Sequence, residues 1–598
     1  MSKGIVVLDF GGQYAHLIAN RIRRLNVYAE IRSPAAPVDQ LQGAAGLVLS
    51  GGPASVYDPH QPAYDPELFD LDLPILGLCY GHQLLCQRLG GRVEPGQTME
   101  FGAATLQVER PQAILDGLEA EEPVWMSHRD SVVELPDGFI TLGSTPDCPA
   151  AAIGHQSRPL YGLQFHPEVT HTRAGMQILD NFLTQCQAPR DWTMEHYIDE
   201  TMTRIQQQTA GRKVFLLVSG GVDSTVSFLL LNRALGEDRV LGLHIDNGFM
   251  RANETALVER LMRESGFHNL HVVDASDDFL RAVEGLSEPE EKRHRIGAEF
   301  IHVRDRALAD MQLDPEEWLL GQGTLYTDTI ESGGTQNAAL IKTHHNRVAV
   351  IEQLLAEGKV VEPLDQLYKD EVRLLGEKLG LPPHLVWRHP FPGPGLGVRV
   401  LCTDGQADSG DLTATSQAQA LAAPYSLSAA LLPLQSVGVQ GDSRTYAHPA
   451  AVAGAATWDQ LETLSTALTN ELPQINRVIY QLAPAQRPPQ QLKPSYLTRP
   501  RLDLLRRADA LAMDALERGG FMQQVTQMPT VLVPLSSDGE QESIVLRPIS
   551  TDDFMTASFT KLPRDFVDEL ATQLLALDGI EAVFYDVTNK PPGTVEWE

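Results

Sequence analysis

Short apolar runs that end in small-residue turns dominate the first third of the chain. Ile5 to Leu8 runs into Asp9-Phe10-Gly11-Gly12, Leu47 to Leu49 into Ser50-Gly51-Gly52-Pro53, and Ile75 to Leu78 into Cys79. Runs this short, punctuated by glycine, read as buried strands, and the helical spacing between them predicts a largely parallel sheet. A second set begins at Val214 to Val218 and continues with Val240 to Ile245 and His271 to Val273. Helical spacing again separates these strands, so a second open α/β sheet is expected, with reactive groups at its strands' carboxyl ends. Gln187 to Asp191, with Pro189 and Arg190, reads as a linker.

The pattern changes near residue 390. From His389 to Gly397, proline and glycine are too dense for regular structure and mark a hinge or a rigid loop. Thr403 to Ala423 is rich in Ala, Ser, Thr, Gln and Asp and reads as an exposed loop or a poorly ordered insertion. Beyond it lies an approximate duplication. Leu431-Leu432-Pro433-Leu434 parallels Leu532-Val533-Pro534-Leu535, and Ile475 to Tyr480 parallels Ile580 to Tyr585, with an amphipathic helix before each later strand. Each unit reads strand, strand, helix, strand, and the two are expected to pack against each other to bury their apolar faces.

With domains of ~100 to 200 residues, a chain of 598 should hold three or four. A formal charge of -31 argues against sequence-independent binding of nucleic acid, which needs a cationic face. Five scattered cysteines (Cys79, Cys86, Cys148, Cys186, Cys402) suggest neither a disulfide framework nor a zinc site and fit a reducing cytosol. No signal peptide precedes the first apolar run, and no stretch approaches ~18 apolar residues, so a soluble, cytosolic, non-membrane chain is expected.

Two turns carry chemistry. Ser219-Gly220-Gly221-Val222-Asp223-Ser224-Thr225 sits between a strand and a helix start, where backbone N–H groups and a helix N-terminus converge on phosphate or pyrophosphate. The lysine of a Walker A loop is missing, so transfer of a terminal phosphoryl group by that device is not indicated. Upstream, Gly77-Leu78-Cys79-Tyr80-Gly81 has the spacing that lifts a nucleophile on a sharp strand-to-helix turn, and a helix N-terminus favours thiolate. His166 is the candidate base for Cys79, Glu168 the carboxylate that orients it, and the N–H groups of Gly52 and Tyr80 a candidate oxyanion hole. Cys86, Cys148, Cys186 and Cys402 read as core packing, since none has a basic partner nearby in sequence.

Taken in order, Ser50-Gly51-Gly52-Pro53, Gly77 to Gln83 and Tyr161 to Glu168 resemble the class I glutamine amidotransferase family over the first 188 residues. The Ser219 to Thr225 loop resembles that of enzymes cleaving ATP to AMP and pyrophosphate. Gly242 to Gly248, Gly321 to Asp328, Ile341 to Asn346, Lys369 to Arg373, His389 to Val400 and Lys590 to Glu598 together resemble the glutamine-hydrolysing GMP synthase family across nearly the whole chain. The resemblance implies an α/β class I glutamine amidotransferase domain over 1–188 and an adenine-nucleotide α-hydrolase-like ATP pyrophosphatase domain over 189–395. Two α+β repeats of the dimerisation type would follow, at 396–484 and 485–598. It further implies that Cys79, His166 and Glu168 release ammonia from glutamine, and that Ser219, Gly220, Gly221, Val222, Asp223, Ser224 and Thr225 bind ATP. XMP would then be aminated to GMP through an adenylyl intermediate. XMP contacts map onto Arg293, Asp442, Arg444, Gln527, Lys590 and Glu596, and Mg2+ is expected on the ATP phosphates with Asp223 as its protein ligand.

The sequence departs from the short bacterial form of the family, which has one C-terminal unit, and is similar to the longer form known in animals. Here the first repeat keeps Gly441 to Arg444 and the second keeps Asp552 to Ala557 and the tail. The duplication could supply within one chain an interface that short forms make between subunits, leaving monomer or homodimer open. Two other readings also stand at this stage. One is an ATP-dependent amidation of a different acceptor; the other is a non-catalytic nucleotide sensor that keeps the fold.

Overall fold

Strands β1 (Ile5–Leu8), β3 (Gly46–Leu49) and β4 (Ile75–Leu78) are buried along their whole length, as expected of parallel strands covered on both faces. A computed structural model describes residues 4–598 apart from 13, 60, 315, 329–356, 407–411, 441–442, 485–487 and 552–556. The chain divides into two compact units, Met1–Ala210 with Gln322–Leu379 and Gly211–Gly321 with Gly380–Glu598. Among the described residues no helix is long and apolar enough to cross a membrane.

In the first unit β2 (Ala29–Arg32), β5 (Arg92–Val108), β6 (Glu121–Glu134), β7 (Phe139–Ser144), β8 (Ala152–His155) and β9 (Leu160–Leu163) complete a nine-stranded sheet in the order β2-β1-β3-β4-β9-β8-β7-β5-β6. The five strands from β2 to β9 pair in parallel and the rest antiparallel. Helices α1 (Ala15–Arg23), α2 (Tyr80–Arg88), α3 (Gly175–Gln185) and α4 (Met194–Thr209) complete this part. At the end of α1, Arg23 is buried, and its guanidinium lies 4.7–5.3 Å from the rings of Tyr28, Trp192, Tyr326 and Tyr368 and 3.2 Å from Glu371. A cation over aromatic faces and against a carboxylate thus ties the 322–379 segment to this unit.

In the second unit β10 (Lys213–Leu217), β11 (Val240–Asp246), β12 (Leu270–Asp274) and β13 (Trp318–Gly321) pair in parallel in the order β12-β11-β10-β13. Helices α5 (Val222–Leu235), α6 (Glu254–Glu264), α7 (Ser276–Ala282) and α8 (Pro289–Asp310) connect or flank them.

The two C-terminal repeats share the expected core of strand, strand, helix, strand, with extra strands inserted: Ser436–Gln440 in the first, and Leu535–Ser536, Ile549–Ser550 and Ser558–Phe559 in the second. The first comprises Ser428–Leu431, Ser443–Ala453, helix Trp458–Glu471 and Ile475–Ala483. The second comprises Thr530–Val533, Glu542–Leu546, helix Arg564–Leu575 and Ile580–Asp586. They do not pack face to face, however. Ile475–Ala483 and Ile580–Asp586 pair antiparallel, joining the repeats edge to edge in one seven-stranded sheet. Tyr480 stands opposite Tyr585, the residue that the duplication equates with it, so the pairing follows a local two-fold axis. Face-to-face packing is unnecessary because each face has its own cover. Val478, Tyr480, Val583 and Tyr585 pack with Leu461, Leu464, Val567 and Leu570 of the two helices, while Ile479, Ala582 and Phe584 point the other way, onto Leu401 and Trp597.

A second departure concerns residues 403–423. Leu412–Ala422 is a helix, with Ala414, Ala418 and Ala422 fully buried on one face. Alanine is the strongest helix former, and a stripe of alanines at four-residue spacing needs no large side chain to pack closely.

Beneath the sheet Asp586 is completely buried between Arg477 at 2.8 Å and Arg547 at 2.9 Å, and it accepts a hydrogen bond from the Trp597 indole at 3.1 Å. Burial alone would raise its pKa, but the two guanidiniums hold it below the usual carboxylate range. The same arginines reach the tail, Arg477 donating to Thr594 Oγ1 at 2.9 Å and Arg547 to the Thr594 carbonyl at 2.8 Å. Asp586→Ala, which strands two buried cations, is expected to destabilise this unit by about 3–5 kcal/mol, measured as a lowered midpoint in urea unfolding; an unchanged midpoint would contradict it.

Candidate active sites

Cys79 lies between β4 and α2 with φ of 50° and ψ of -103°, a backbone conformation that side-chain-bearing residues rarely adopt. The turn is possible because its neighbours lack side chains. A Cβ on Gly77 would lie 2.4 Å from the Gly81 carbonyl oxygen, and one on Gly81 would lie 2.3 Å from that of Leu49. Strand-to-helix glycines therefore do what their spacing predicts. The thiol is nearly buried and donates to the Ser127 carbonyl at 3.4 Å.

His166 and Glu168 come to the same place from the end of β9. His166 Nδ1 is 2.7 Å from Glu168 Oε1, with both side chains buried. A Cβ on Gly51 would be 3.3 Å from His166 Cε1 and 3.7 Å from Cys79 Cβ, so the imidazole and the thiol flank Gly51 side by side. Burial opposes the imidazolium, but hydrogen bonding to Cys79 and Glu168 outweighs it and raises the His166 pKa to about 10. His82 behaves oppositely. Neither ring nitrogen has a hydrogen-bond partner among the described residues, and burial with the nearby His128 pushes its pKa down to about 3. It is a neutral wall, and of the two histidines His166 is the one hydrogen-bonded to a carboxylate beside the thiol.

The two candidate oxyanion donors flank the thiol turn on separate elements. Tyr80 opens α2, where the first N–H groups have no intrahelical acceptor, and Gly52 follows β3 beside that helix, with the Gly81 N–H bonded to the Ser50 carbonyl at 3.2 Å. Asp130 was missed by sequence reasoning. Its buried carboxylate accepts from Ser55 Oγ at 2.6 Å and Tyr57 Oη at 2.8 Å, while its carbonyl accepts from Gln83 Nε2 at 2.9 Å. A polar run inside the alternating strand β6 was the available signal.

Cys86, Cys148 and Cys186 are buried as expected, and burial raises all three thiol pKa values, that of Cys86 to about 12. Cys148 and the half-buried Cys402 do have polar company that lies far away in sequence. Cys148 stands within 4.8 Å of ligand atoms on Glu100 and His128, and Cys402 Sγ is 3.7 Å from Lys292 Nζ.

At the second turn α5 begins at Val222, within the loop itself, with Gly221 as its N-cap. Val222, Asp223, Ser224 and Thr225 therefore form the first helical turn. Gly220 takes φ of +81°, the Gly221 N–H donates to Ser219 Oγ at 3.3 Å, and Ser219 and Ser224 hydroxyls are 3.1 Å apart. Below the loop His244 Nδ1 bonds the Val218 carbonyl at 2.7 Å, so the strand end is pinned from the neighbouring strand β11.

Near the tail, Gln527 Nε2 lies 3.4 Å from Glu596 Oε1, bringing two of the predicted XMP residues together. Glu596 is gripped by Arg399 through two bonds of 2.8 and 3.0 Å, a fork the sequence did not announce. Arg293 stands on α8, 3.7 Å from Glu290, and its neighbour Lys292 pairs with buried Glu598. Lys590 pairs backbone to backbone with Ala557. Asp442 and the segments Ile341 to Asn346 and Asp552 to Thr556 lie outside the described residues, as does the side chain of Arg444.

The class-I glutamine amidotransferase family matches residues 6–186, the NAD synthase family residues 194–328, and the GMP synthase C-terminal domain residues 416–492 and 514–597. A probable glutamine-hydrolyzing GMP synthase of Leptospira interrogans is 45% identical over 607 residues, covering 100% of this chain and 99% of its own. The chain belongs to the glutamine-hydrolysing GMP synthase family. The GMP synthase of Heliobacterium modesticaldum is 37% identical, with 99% of both chains covered. Such bacterial GMP synthases share the full length, so the long form is not confined to animals. That of Geobacillus kaustophilus, 43% identical, is matched over 97% of its length by 80% of this chain. This glutamine-hydrolysing ligase thus combines an amidotransferase domain, an ATP pyrophosphatase domain of the NAD synthase type and the GMP synthase C-terminal region.

For His166, a pKa raised from 6.5 to about 10 means stability fully present below 6.5 and lost as pH rises through 10. An NMR titration should find the imidazole still protonated at neutral pH in the wild type and titrating lower in Glu168→Gln. Titration near 6.5 in both would refute the pairing.

Proposed function

We propose that the chain makes GMP by adenylylating XMP at O2 and displacing AMP with ammonia taken from glutamine. What carries the reading is the presence in one chain of a thiol turn with its His166–Glu168 pair and an SGGVDS loop without lysine, within a full-length likeness to GMP synthases. In this scheme the proton of Cys79 resides on His166 before glutamine binds, the sulfur attacks the glutamine side-chain carbonyl, and Gly52 and Tyr80 N–H groups face the developing oxyanion. The C–N bond breaks, ammonia leaves with the proton held by His166, and water cleaves the thioester to glutamate.

At the second site the loop from Ser219 to Thr225 holds ATP, O2 of XMP attacks the α-phosphorus, and pyrophosphate leaves. Ammonia then adds at C2 and AMP departs. Arg293, Asp442, Arg444, Gln527, Lys590 and Glu596 are the proposed XMP contacts. The donors at the loop are all oxygens, from Asp223, Ser219 and Ser224, which suits a hard cation held mostly by substrate phosphates. Asp223 would hold Mg2+, which when bound supplies charge neutralisation of the leaving pyrophosphate.

Cys79→Ala should cost glutamine-dependent GMP formation about 10³-fold or more while ammonium-supported formation persists, whereas Asp223→Ala should remove both. Glutamine-dependent synthesis surviving in the cysteine variant would sink the assignment of the nucleophile. We also infer that the chain acts as a monomer, because its two repeats already pair about a local two-fold axis. Light scattering should give one chain per particle; a dimer that persists on dilution would count against this.

A further inference from the structure

Two observations about the nucleotide loop remain unjoined. The loop carries no cation of its own, and the rigid loop or hinge from His389 to Gly397, which Arg388 immediately precedes, has no part in the proposed chemistry. The fold brings the two together. Arg388 Nη2 stands 3.9 Å from where a Cβ on Gly220 would sit, while Nη1 is 3.1 Å from a carboxylate oxygen of Glu254.

Arg388 is delivered by a stiff mount. Glu254 opens α6, is almost completely buried, and is itself fixed by accepting the Arg251 N–H at 3.1 Å. Three residues on, Phe391 lies between two guanidiniums, 4.6 Å from that of Arg251 and 5.2 Å from that of Arg399. His389 is buried, with Nε2 3.3 Å from the Met522 carbonyl. The segment behaves as a clasped rigid loop rather than a hinge, and the Arg388 side chain keeps 18% of its surface exposed. A forked guanidinium anchored through one nitrogen and presenting another is well suited to phosphate oxygens.

We propose that Arg388 is a phosphate-binding residue of the nucleotide site, engaging the phosphates of ATP that leave as pyrophosphate. The inference rests on reading Ser219 to Thr225 as the ATP loop. It assigns to the clasped loop the positive charge that a Walker A loop carries as lysine. The α5 N-terminus supplies oriented N–H groups and Arg388 a full charge, so both converge on one anion.

Calorimetric binding of magnesium pyrophosphate, magnesium ATP and AMP to the full-length protein tests this without XMP turnover. Arg388→Ala is expected to weaken pyrophosphate and ATP about tenfold or more, with AMP unchanged and Arg388→Lys intermediate. Arg388→Gln, which keeps most of the side chain, carries the same comparison if the alanine variant does not fold. Pyrophosphate affinity equal to wild type, or equal weakening for all three ligands, would overturn the assignment. A wild-type protein that binds ATP in this assay yet makes no GMP from XMP would instead reject the proposed function and leave Arg388 judged on its own data.

Discussion

Both reactive turns depend on one steric constraint: a backbone must pass where no side chain fits. At the thiol site Gly77, Gly81 and Gly52 each face a carbonyl oxygen within 2.6 Å of a would-be Cβ, and that closeness forces the chain to reverse at Cys79 with positive φ. Such a conformation costs about 1–3 kcal/mol at a residue with a side chain. The surrounding parallel strands, buried on both faces, hold it. At the nucleotide loop the strain falls on Gly220 instead, where it is nearly free. The difference is chemical. A nucleophile must itself occupy the apex, whereas an anion needs only N–H groups, so glycine can take the apex.

The C-terminal region answers a different constraint, that of burying charge. Asp586 sits between two arginines in a sheet interior, and those arginines hold the backbone of the tail. Removing water from these groups is costly, and their value is positional. The tail is thereby fixed from Gly593 to Glu598, with Glu596 forked onto Arg399 and Trp597 filling the second face of the sheet. The result is that Glu596 is held in place beside Gln527.

The strands and turns of both α/β sheets could be read from the sequence because apolar runs, glycines and reactive residues coincide there within a few positions. The repeat was legible for the same reason, as Ile475 to Tyr480 and Ile580 to Tyr585 share one pattern. Its assembly was not, since edge pairing at Tyr480 and Tyr585 depends on which backbone edge is left open and on cover from Trp597, more than a hundred residues away from Tyr480. The helix at 412–422 escaped because its fully buried positions are all alanine. The contacts of Asp130, Arg399, Lys292 and Arg388 were invisible, for each pairs with a partner distant in the chain, and a single charged residue in a sequence carries no sign of that partner.

In the proposed function the two turns perform consecutive halves of one amination, with the oxygen at C2 of XMP activated by transfer of an adenylyl group. Synthesis from XMP labelled with oxygen-18 at C2 tests this most directly. Mass spectrometry should find the label in the phosphate of AMP, one atom for each GMP formed, because the C2 oxygen departs with the adenylyl group. Label appearing in pyrophosphate or in water, with none in AMP, would contradict the account.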